Sequence, residues 1–239
     1  MRQIALVLGL ITGCGRDHFA DHIDCGASAL ADAAEAQKVT FSQAATGVNT
    51  GTAMVTAPIP LFQNAGDLMV LVVNWNGPAI TSVHDANANG YAMALSPTSF
   101  GGMTQAIFYA PEIHEAQPGT NMVEVDFASA ADAEIGVLEY AGVVAANPFD
   151  VAVGNTGTSS LATATGVTTN PNDFIVASDF ANTPTSGIGS TWTSRLTLPS
   201  GSIVQDQQVG QAETVMAADS FALSTTWILG LAAFEVAPQ

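Results

Sequence analysis

The stretch Gly66–Asn76, which reads G-D-L-M-V-L-V-V-N-W-N, decides the fold class of this chain. Its apolar run extends from Leu68 to Val73 and is bounded by turn-forming residues. Because a membrane-spanning helix needs about 20 apolar residues, this run is too short to span a membrane. β-Branched side chains are frequent in the run and no polar residue interrupts it. Both features predict a strand that is covered on its two faces and lies in the middle of a hydrophobic core.

Other segments with strand character recur at spacings of roughly ten residues, with turn residues between them. They are Lys38–Ser42, Thr52–Thr56, Ile80–Val83, Tyr91–Leu95, Met103–Tyr109, Met122–Phe127, Ala133–Tyr140, Phe149–Val153, Asp173–Phe180, Thr191–Leu198, Ser202–Val209 and Phe221–Val236. Gly157–Gly166 is either a flexible loop or an edge strand. The pattern predicts an all-β fold, an antiparallel two-sheet β-sandwich of jelly-roll-like form with a short N-terminal extension. The sequence shows no internal repeat at the periods of solenoids or propellers.

The composition limits the partners that this protein can have. The chain has 239 residues, 48% hydrophobic and 10% charged, with 4 Lys and Arg against 21 Asp and Glu and a net charge of −17. An extended polyanion would be repelled, which excludes nucleic acid as a partner. A surface built largely from Thr, Ser, Asn, Gln, Ala and Gly is typical of secreted or externally displayed proteins.

The first fourteen residues combine a positive charge, a short apolar run and a cysteine. Arg2 supplies the charge, Ile4–Ile11 is apolar, and Ile11-Thr12-Gly13-Cys14 follows as an aliphatic residue, two small residues and a cysteine. This order resembles a bacterial lipoprotein signal, in which the cysteine is lipidated. The resemblance implies lipidation at Cys14, an extracytoplasmic location and membrane attachment only through the lipid. The expected domains are a signal segment (1–13), a linker or short helix (14–37) and the β-sandwich (38–239). In the alternative interpretation, the N-terminal segment is retained as a buried or assembly-forming strand.

The second cysteine, Cys25, has two alternative fates. If Cys14 is acylated, Cys25 is free, metal-bound or paired with another molecule; otherwise an oxidising exterior can close a Cys14–Cys25 disulfide. His18, His22 and Cys25 also have a spacing seen in metal sites, although a fourth ligand is not evident. We interpret this segment as a polar linker.

A second resemblance covers Gly66 to Phe234. The run G-D-L-M-V-L-V-V-N-W is followed by T-S-V-H-D-A-N-A-N-G-Y, G-G-M-T-Q-A-I-F-Y-A, V-L-E-Y-A-G with N-P-F-D, and T-S-R-L. This order is similar to that of a β-sandwich module found in bacterial secreted and surface proteins, from which it departs at His84 and Gln205-Asp206-Gln207. The resemblance implies a jelly-roll-like fold and an extracellular setting, and it carries over no catalytic residue.

The turn after the third predicted strand contains half of a calcium-binding motif. Asp85, Asn87, Asn89 and Gly90 match D-x-[DN]-x-[DN]-G, but Ser96 stands where the motif needs a bidentate Glu. Asn-Gly is also a strong hairpin signal. The loop is therefore interpreted as a turn, with a calcium ion at Asp85, Asn87 and Asn89 as the alternative.

No catalytic constellation emerges from the sequence. His84 and His114 lie beside turns without a recognisable nucleophile, and no G-x-S-x-G motif occurs. Glu124 and Asp126 share a strand face at roughly 7 Å, near a glycosidase separation, yet such alternation is common on solvent-facing strands. Trp75 and Trp192 could stack on a sugar, but their apolar setting favours core packing. We therefore expect a protein that is not an enzyme.

Arg195 is the only basic residue after Lys38, so its partner can be predicted. If Ser200-Gly201 form a two-residue hairpin loop, Asp206 lies directly opposite Arg195 on the neighbouring strand. We expect a cross-strand Arg195–Asp206 ion pair, with Glu139 as the alternative carboxylate.

These observations together favour a non-enzymatic, externally displayed structural, assembly or adhesion subunit without a required cofactor. Its partners would be further copies of itself, in an oligomer or filament, or a surface glycan. The alternative function is a carbohydrate-binding module, assisted by calcium at the Asp85 loop.

Overall fold

The computed structural model describes residues 37–238. This part of the chain consists of twelve β-strands and connecting turns. No helix within it is long and apolar enough to cross a membrane. The predictions made for the signal segment, for Cys14 and Cys25, and for His18 and His22 lie outside the described residues.

The strands are β1 (Thr40–Pro58), β2 (Leu68–Asn76), β3 (Ile80–Asp85), β4 (Ala92–Phe100), β5 (Met103–Ala110), β6 (Met122–Ala141), β7 (Phe149–Val167), β8 (Asp173–Ala181), β9 (Thr185–Ile188), β10 (Thr193–Thr197), β11 (Ile203–Gln208) and β12 (Thr214–Glu235). They form two antiparallel six-stranded sheets, which confirms the predicted all-β sandwich. The first sheet has the order β1-β6-β2-β5-β4, and β3 also pairs with β6. The second has the order β7-β12-β8-β11-β10, and β9 also pairs with β12.

The second sheet repeats the topology of the first. Adding six to each strand number of the first sheet gives the strand order of the second. The rule also holds for the additional strands, because β3 pairs with β6 and β9 pairs with β12. Strand lengths agree as well, with 19 residues in both β1 and β7 and 9 in both β2 and β8. We call residues 40–141 the first half and residues 149–235 the second half. The chain therefore contains a structural repeat of about half its described length.

The register of the longest strands is interrupted at matching places in the two halves. In each half, a step of two residues along one strand lies opposite a step of five residues along its partner. In the first half the step runs from the pair Thr52–Ala131 to the pair Met54–Asp126. In the second half it runs from Ser159–Thr225 to Leu161–Ser220. Such irregularities bend a strand and increase its twist. The long strands thus turn back across the outer face of their own sheet.

Gly47 shows how tightly β1 folds back on itself. A Cβ atom at Gly47 would lie 2.0 Å from the carbonyl oxygen of Thr56, nine residues further along the same strand. We call the part of each half that lies beyond the register break the outer arm. It consists of residues 54–58 and 122–126 with β3 in the first half, and of residues 161–167 and 214–220 with β9 in the second. The matching place in the second half holds Asn155, whose Nδ2 donates to the Thr163 carbonyl oxygen at 2.7 Å.

Apolar side chains form three main cores. One lies between the first sheet and its outer arm, one lies between the second sheet and its own outer arm, and one lies between the two sheets. The side chains that the sequence predicts to be buried are all at most 6% exposed: Leu68, Val70, Val72, Ile107, Phe108, Val123, Val125, Phe127, Leu138, Phe174, Val176, Ile228 and Phe234. β2 is the centre that its sequence predicts, because only Asn76 of its nine residues is exposed.

The two sheets meet through reciprocal contacts. A Cβ atom at Gly136 would lie 3.0 Å from Leu196 Cδ2 of the second half. At the matching Gly230 it would lie 2.5 Å from Leu95 Cδ2 of the first half. Leu95 and Leu196 themselves hold matching positions, opposite Ile107 and Val204. The halves therefore face each other with the reciprocity of a two-fold interface, although they belong to one chain.

Several predicted strand boundaries were wrong. Thr40–Ser42 and Thr52–Thr56 belong to one strand, β1, which Lys38 and Val39 precede, and Met122–Phe127 and Ala133–Tyr140 belong to one strand, β6. The undecided Gly157–Gly166 is part of β7. In each case the sequence marks the bend between the two arms with small or polar residues, and the local pattern resembles that of a loop.

Candidate functional site

A polar cavity of about 550 Å³ lies beside Arg195, and we call it the Arg195 cavity. Its walls come from the residues before β1 and from β8, β10, β11 and the start of β12; the lining side chains are Lys38, Val39, Phe174, Thr191, Thr193, Arg195, Asp206, Gln207, Gln208, Val209, Glu213, Thr214, Val215 and Met216. Lys38 and Arg195 are the only basic residues from position 37 onward. Both cations of the described part of the chain therefore line the same cavity.

Arg195 forms the ion pair that the sequence suggested. Its Nε donates to Asp206 Oδ2 at 2.7 Å, and the Asp206 side chain is only 4% exposed. The guanidinium carbon also lies 5.0 Å from the centre of the Phe41 ring, within the range of a cation–π contact. The alternative carboxylate, Glu139, instead accepts hydrogen bonds from Gln43 Nε2 and the Asn64 amide.

The two-residue hairpin loop from which that ion pair was predicted is wrong. Ile203 pairs with Thr197, not with Leu198, because Pro199–Gly201 form a three-residue loop with Gly201 at φ 92°. The register then shifts between Ser194 and Leu196, so Asp206 pairs with Thr193. Arg195 is the extra residue at this bulge. Its long side chain reaches Asp206 from the bulge rather than from the directly opposed position.

The electrostatic environment fixes the charge of the pair. The hydrogen bond to Asp206 is the main cause that raises the pKa of Arg195 above its ordinary value. Burial raises the pKa of Tyr140, whose side chain lies beside the pair, well above its ordinary value, and the charge of Asp206 adds to this effect. Tyr140 thus stays neutral, while Arg195 stays charged over the accessible pH range.

The Arg195 cavity offers hydrogen-bond donors that the protein does not use. Arg195 bonds to Asp206 through Nε alone, and neither of its Nη groups donates to a residue between positions 37 and 238. Lys38 is exposed and lies within 4.0 Å of no carboxylate in the same range. A guanidinium group and an ammonium group that line the same cavity are the side chains suited to binding a carboxylate or another oxyanion.

The Asp85 loop is held together by hydrogen bonds. Asp85 Oδ1 accepts from the amides of Asn87 and Asn89, both at 3.0 Å. Oδ2 accepts from Asn89 Nδ2 at 2.8 Å, Tyr91 Oη at 3.0 Å and Asn121 Nδ2 at 3.2 Å. Both oxygens that a cation would need therefore already have protein donors. The structure gives this loop a structural role, and calcium binding at Asp85, Asn87 and Asn89 stays a prediction.

The structure brings His84 together with Glu124 and Asp126, which the sequence analysis treated separately. His84 Nε2 lies 3.3 Å from Glu124 Oε1, and Nδ1 lies 3.7 Å from Asp126 Oδ2. The three side chains form a surface cluster in which one ring nitrogen and two carboxylate oxygens lie within 4.8 Å of one another. His114 lies apart from it, with Nδ1 3.0 Å from the carbonyl oxygen of Asn87.

The two candidate sugar-stacking tryptophans are core residues. Trp75 is 2% exposed and Trp192 is 6% exposed, and their indole N–H groups donate to the carbonyl oxygens of Pro78 and Met216. An edge of Trp75 reaches a second cavity of about 480 Å³, which Phe108, Tyr91 and residues of β3 and β4 also line. No charged side chain lines that second cavity.

The carboxyl groups with the most strongly raised pKa values are enclosed between strands. Burial is the main cause that raises the pKa of Glu139, Asp173 and Asp219 to about 7 and that of Asp179 to about 6. All four are at most 2% exposed. None of them lines either of the two cavities described above.

Two of these groups, Glu139 and Asp173, each lie beside a second carboxyl group, and of the four residues only Asp67 and Asp173 hold matching positions in the two halves. Glu139 lies beside Asp67, which precedes β2, and Asp173, at the start of β8, lies beside Asp150. The neighbouring carboxylate adds to the effect of burial in each pair. The sequence analysis missed both pairs, and the available signal was the acidic residue before each central strand, in Gly66-Asp67 and Asn172-Asp173.

Comparisons with protein-family models, with curated proteins and with solved structures found no match to this chain.

Proposed function

We propose that this protein is a non-enzymatic, externally displayed structural or adhesion subunit. The observation that carries the proposal is the position of its perturbed carboxyl groups. Catalytic acids and bases have shifted pKa values and contact the substrate in a cleft. Here Glu139, Asp173, Asp179 and Asp219 are enclosed in the strand framework, and none of them lines either cavity.

The buried polar groups support a framework role. Glu134 of the first sheet accepts hydrogen bonds from the Ser200 amide at 2.8 Å and from Ser200 Oγ at 2.7 Å, both in the second half. Asn74 Nδ2 donates to Glu134 and reaches the carbonyl oxygen of Asp179 at 3.4 Å. A buried hydrogen-bond network that joins the two sheets favours one arrangement of them. A structural subunit needs such a fixed arrangement.

The external location is proposed from the sequence. A lipoprotein signal ending at Cys14 would anchor the chain through lipid, and mass spectrometry of natively expressed protein tests it. A mature chain that begins at an acylated Cys14 supports the proposal, whereas an intact Met1 contradicts lipidation and leaves the retained N-terminal segment as the means of attachment.

The assembly role is tested by size-exclusion chromatography with light scattering and by negative-stain electron microscopy of the full-length chain. We expect oligomers or filaments whose size grows with concentration. A chain that stays monomeric at every concentration contradicts assembly through copies of itself. It would leave adhesion to another molecule as the form of the proposal to test.

A second candidate function, a carbohydrate-binding module, is favoured by the Arg195 cavity. Its volume of about 550 Å³ lies in the usual range for small-ligand sites. The cavity combines charged, hydroxyl and amide side chains with apolar surface from Val209, Val215 and Met216. Binding to a glycan array tests this function. Because Trp75 and Trp192 are buried, their substitution is not a test of it.

A further inference from the structure

The placement of the basic residues in the Arg195 cavity identifies a ligand class. From residue 37 onward the chain has two basic side chains against sixteen acidic ones. Lys38 is exposed and has no carboxylate within 4.0 Å among the described residues, so its ammonium group is accessible to a ligand in the cavity. The four charged side chains of the cavity, Lys38, Arg195, Asp206 and Glu213, sum to zero, so a negative group would be attracted by the local placement of the Lys38 ammonium and the Arg195 Nη groups rather than by a net positive field.

Arg195 is held in a fixed orientation for such a group. Its Nε is bonded to the buried Asp206, and its guanidinium plane rests beside the Phe41 ring. The two Nη groups remain as a planar pair of donors, which matches the two oxygens of a carboxylate. Because the protein has already restricted this side chain, less conformational entropy is lost when a ligand binds.

The charge balance limits the ligand to a single negative group. Asp206 already offsets the charge of Arg195, and Glu213 also lines the cavity. The net charge of −17 repels any ligand that carries many carboxylates along its length. The remaining walls offer Thr193 and Gln207 as hydrogen-bond partners for hydroxyl groups, and Val215 and Met216 as apolar surface for a sugar ring.

We propose that the Arg195 cavity binds a terminal uronate, a sugar with one carboxylate, at the end of an otherwise neutral glycan. Arg195 and Lys38 contact the carboxylate, and the polar wall contacts the hydroxyl groups. This inference rests on the carbohydrate-binding function and names its ligand class. It is independent of whether the chain assembles into filaments.

Isothermal titration of the full chain with D-glucuronate, D-glucose and sulfate tests the proposal. We expect glucuronate to bind with a Kd of about 1 mM, the weak range expected of a single small ligand, and glucose and sulfate to bind at least tenfold more weakly. Glucose binding as tightly as glucuronate overturns the proposal but keeps the carbohydrate-binding function. Sulfate binding as tightly as glucuronate shows a general anion site and overturns it. Absence of binding by every sugar rejects both.

Two substitutions locate the site. Lys38→Gln removes an exposed charge without a protein partner, and Gln117→Glu makes the same change in net charge on an exposed loop away from the cavity. We expect Lys38→Gln to weaken glucuronate binding about three- to tenfold and Gln117→Glu less than twofold. Equal effects of the two variants would show a global charge effect and overturn the proposal.

Arg195→Lys provides an independent check, because it keeps the charge and can keep the contact with Asp206 but loses the planar fork. We expect binding at least tenfold weaker, with an unchanged circular dichroism spectrum and an unchanged thermal midpoint within a few degrees. Unchanged affinity in a folded Arg195→Lys protein contradicts the assignment of the fork. If this variant does not fold, Lys38→Gln and its control still decide the proposal.

Discussion

The two halves of this protein share one strand order but use it differently. The register break of the long strands and the glycines that face the opposite sheet occur at matching positions. The bulge on the edge strand is also shared, and it holds Ala94 in the first half and Arg195 in the second. The shared features maintain backbone geometry, whereas Arg195, which we propose as a ligand contact, stands where the first half has Ala94. The comparison therefore separates framework positions from candidate functional ones.

The enclosed carboxyl groups with raised pKa values, Glu139 in the first half and Asp173 and Asp219 in the second, predict the largest effect. A carboxyl group whose pKa is raised on folding contributes stability that is fully present below its unfolded pKa of about 4 and is lost as the pH rises through its folded pKa. Glu139, Asp173 and Asp219 have folded pKa values of about 7. We expect the free energy of unfolding to be higher at pH 4.5 than at pH 8, by on the order of 5 kcal/mol.

Urea denaturation followed by tryptophan fluorescence at pH 4.5, 6 and 8 measures this difference. Most of the loss should fall between pH 4.5 and pH 7, that is, between the unfolded and the folded pKa values of these groups. Equal stability at pH 4.5 and pH 8, or a maximum at pH 8, would show that these groups are hydrated or rearranged in solution.

Gly47→Ala tests the tight fold of β1 over its own sheet. The added Cβ would lie 2.0 Å from the Thr56 carbonyl oxygen, so the backbone itself must move. We expect a loss of about 3 kcal/mol in the free energy of unfolding, at the upper end for overpacking. Gly210→Ala is the matched control, because its Cβ meets no atom within 4 Å and its φ is not positive. A difference below about 1 kcal/mol between the two variants would contradict the fold-back geometry.

Asp85→Ala tests the loop of the first half that is held together by hydrogen bonds to the Asp85 carboxylate. The substitution removes the acceptor of five hydrogen bonds and leaves the buried side chains of Asn89 and Asn121 without that partner. We expect a cost of about 2–3 kcal/mol. Glu115→Ala, which removes an exposed carboxylate from the adjoining loop, should change stability by less than about 0.5 kcal/mol. If EDTA lowered the thermal midpoint of the wild type as much as Asp85→Ala does, calcium would hold the loop.

The sequence predicted the features that depend on local pattern. The apolar run of β2, the buried faces and the fold class follow from side-chain alternation and turn residues. The partners Arg195 and Asp206 could be predicted because cations are so scarce in this chain. Their register could not, because a bulge is a local irregularity without a strong sequence signal.

The features that sequence analysis missed depend on distant contacts. Lys38 and Arg195 are separated by 157 positions in the sequence, and only the packing of the residues before β1 against β11 brings them to one cavity. The repeat of the two halves was also missed, because it preserves backbone geometry more than residue type. Gly136 and Gly230 match in the structure, for example, while the paired residues Val72 and Ser178 differ in polarity.

The smallest expected effect distinguishes the two carboxyl pairs from each other. Both oxygens of Asp173 are buried and accept no hydrogen bond from the described residues, whereas Asp150 accepts from the Thr169 amide at 2.7 Å and from Thr169 Oγ1. Burial raises the pKa of Asp150, but the hydrogen bonds from Thr169 outweigh it and lower the pKa overall. Asp173 is therefore the member that holds the proton, and an Asn in its place could donate to Asp150 at every pH.

We expect Asp173→Asn to raise the free energy of unfolding at pH 8 by about 1–2 kcal/mol and to leave it nearly unchanged at pH 4, where Asp173 is already neutral. Glu139→Gln should bring a smaller gain, because the two oxygens of Glu139 accept hydrogen bonds from Gln43 Nε2 and the Asn64 amide, and the new amide group must give up one of these. Urea denaturation of both variants at both pH values measures the contrast. An equal gain from the two variants at pH 8 would show that charge repulsion alone governs both pairs, and a gain from Asp173→Asn that persists at pH 4 would mean that Asp173 is not the proton-holding group.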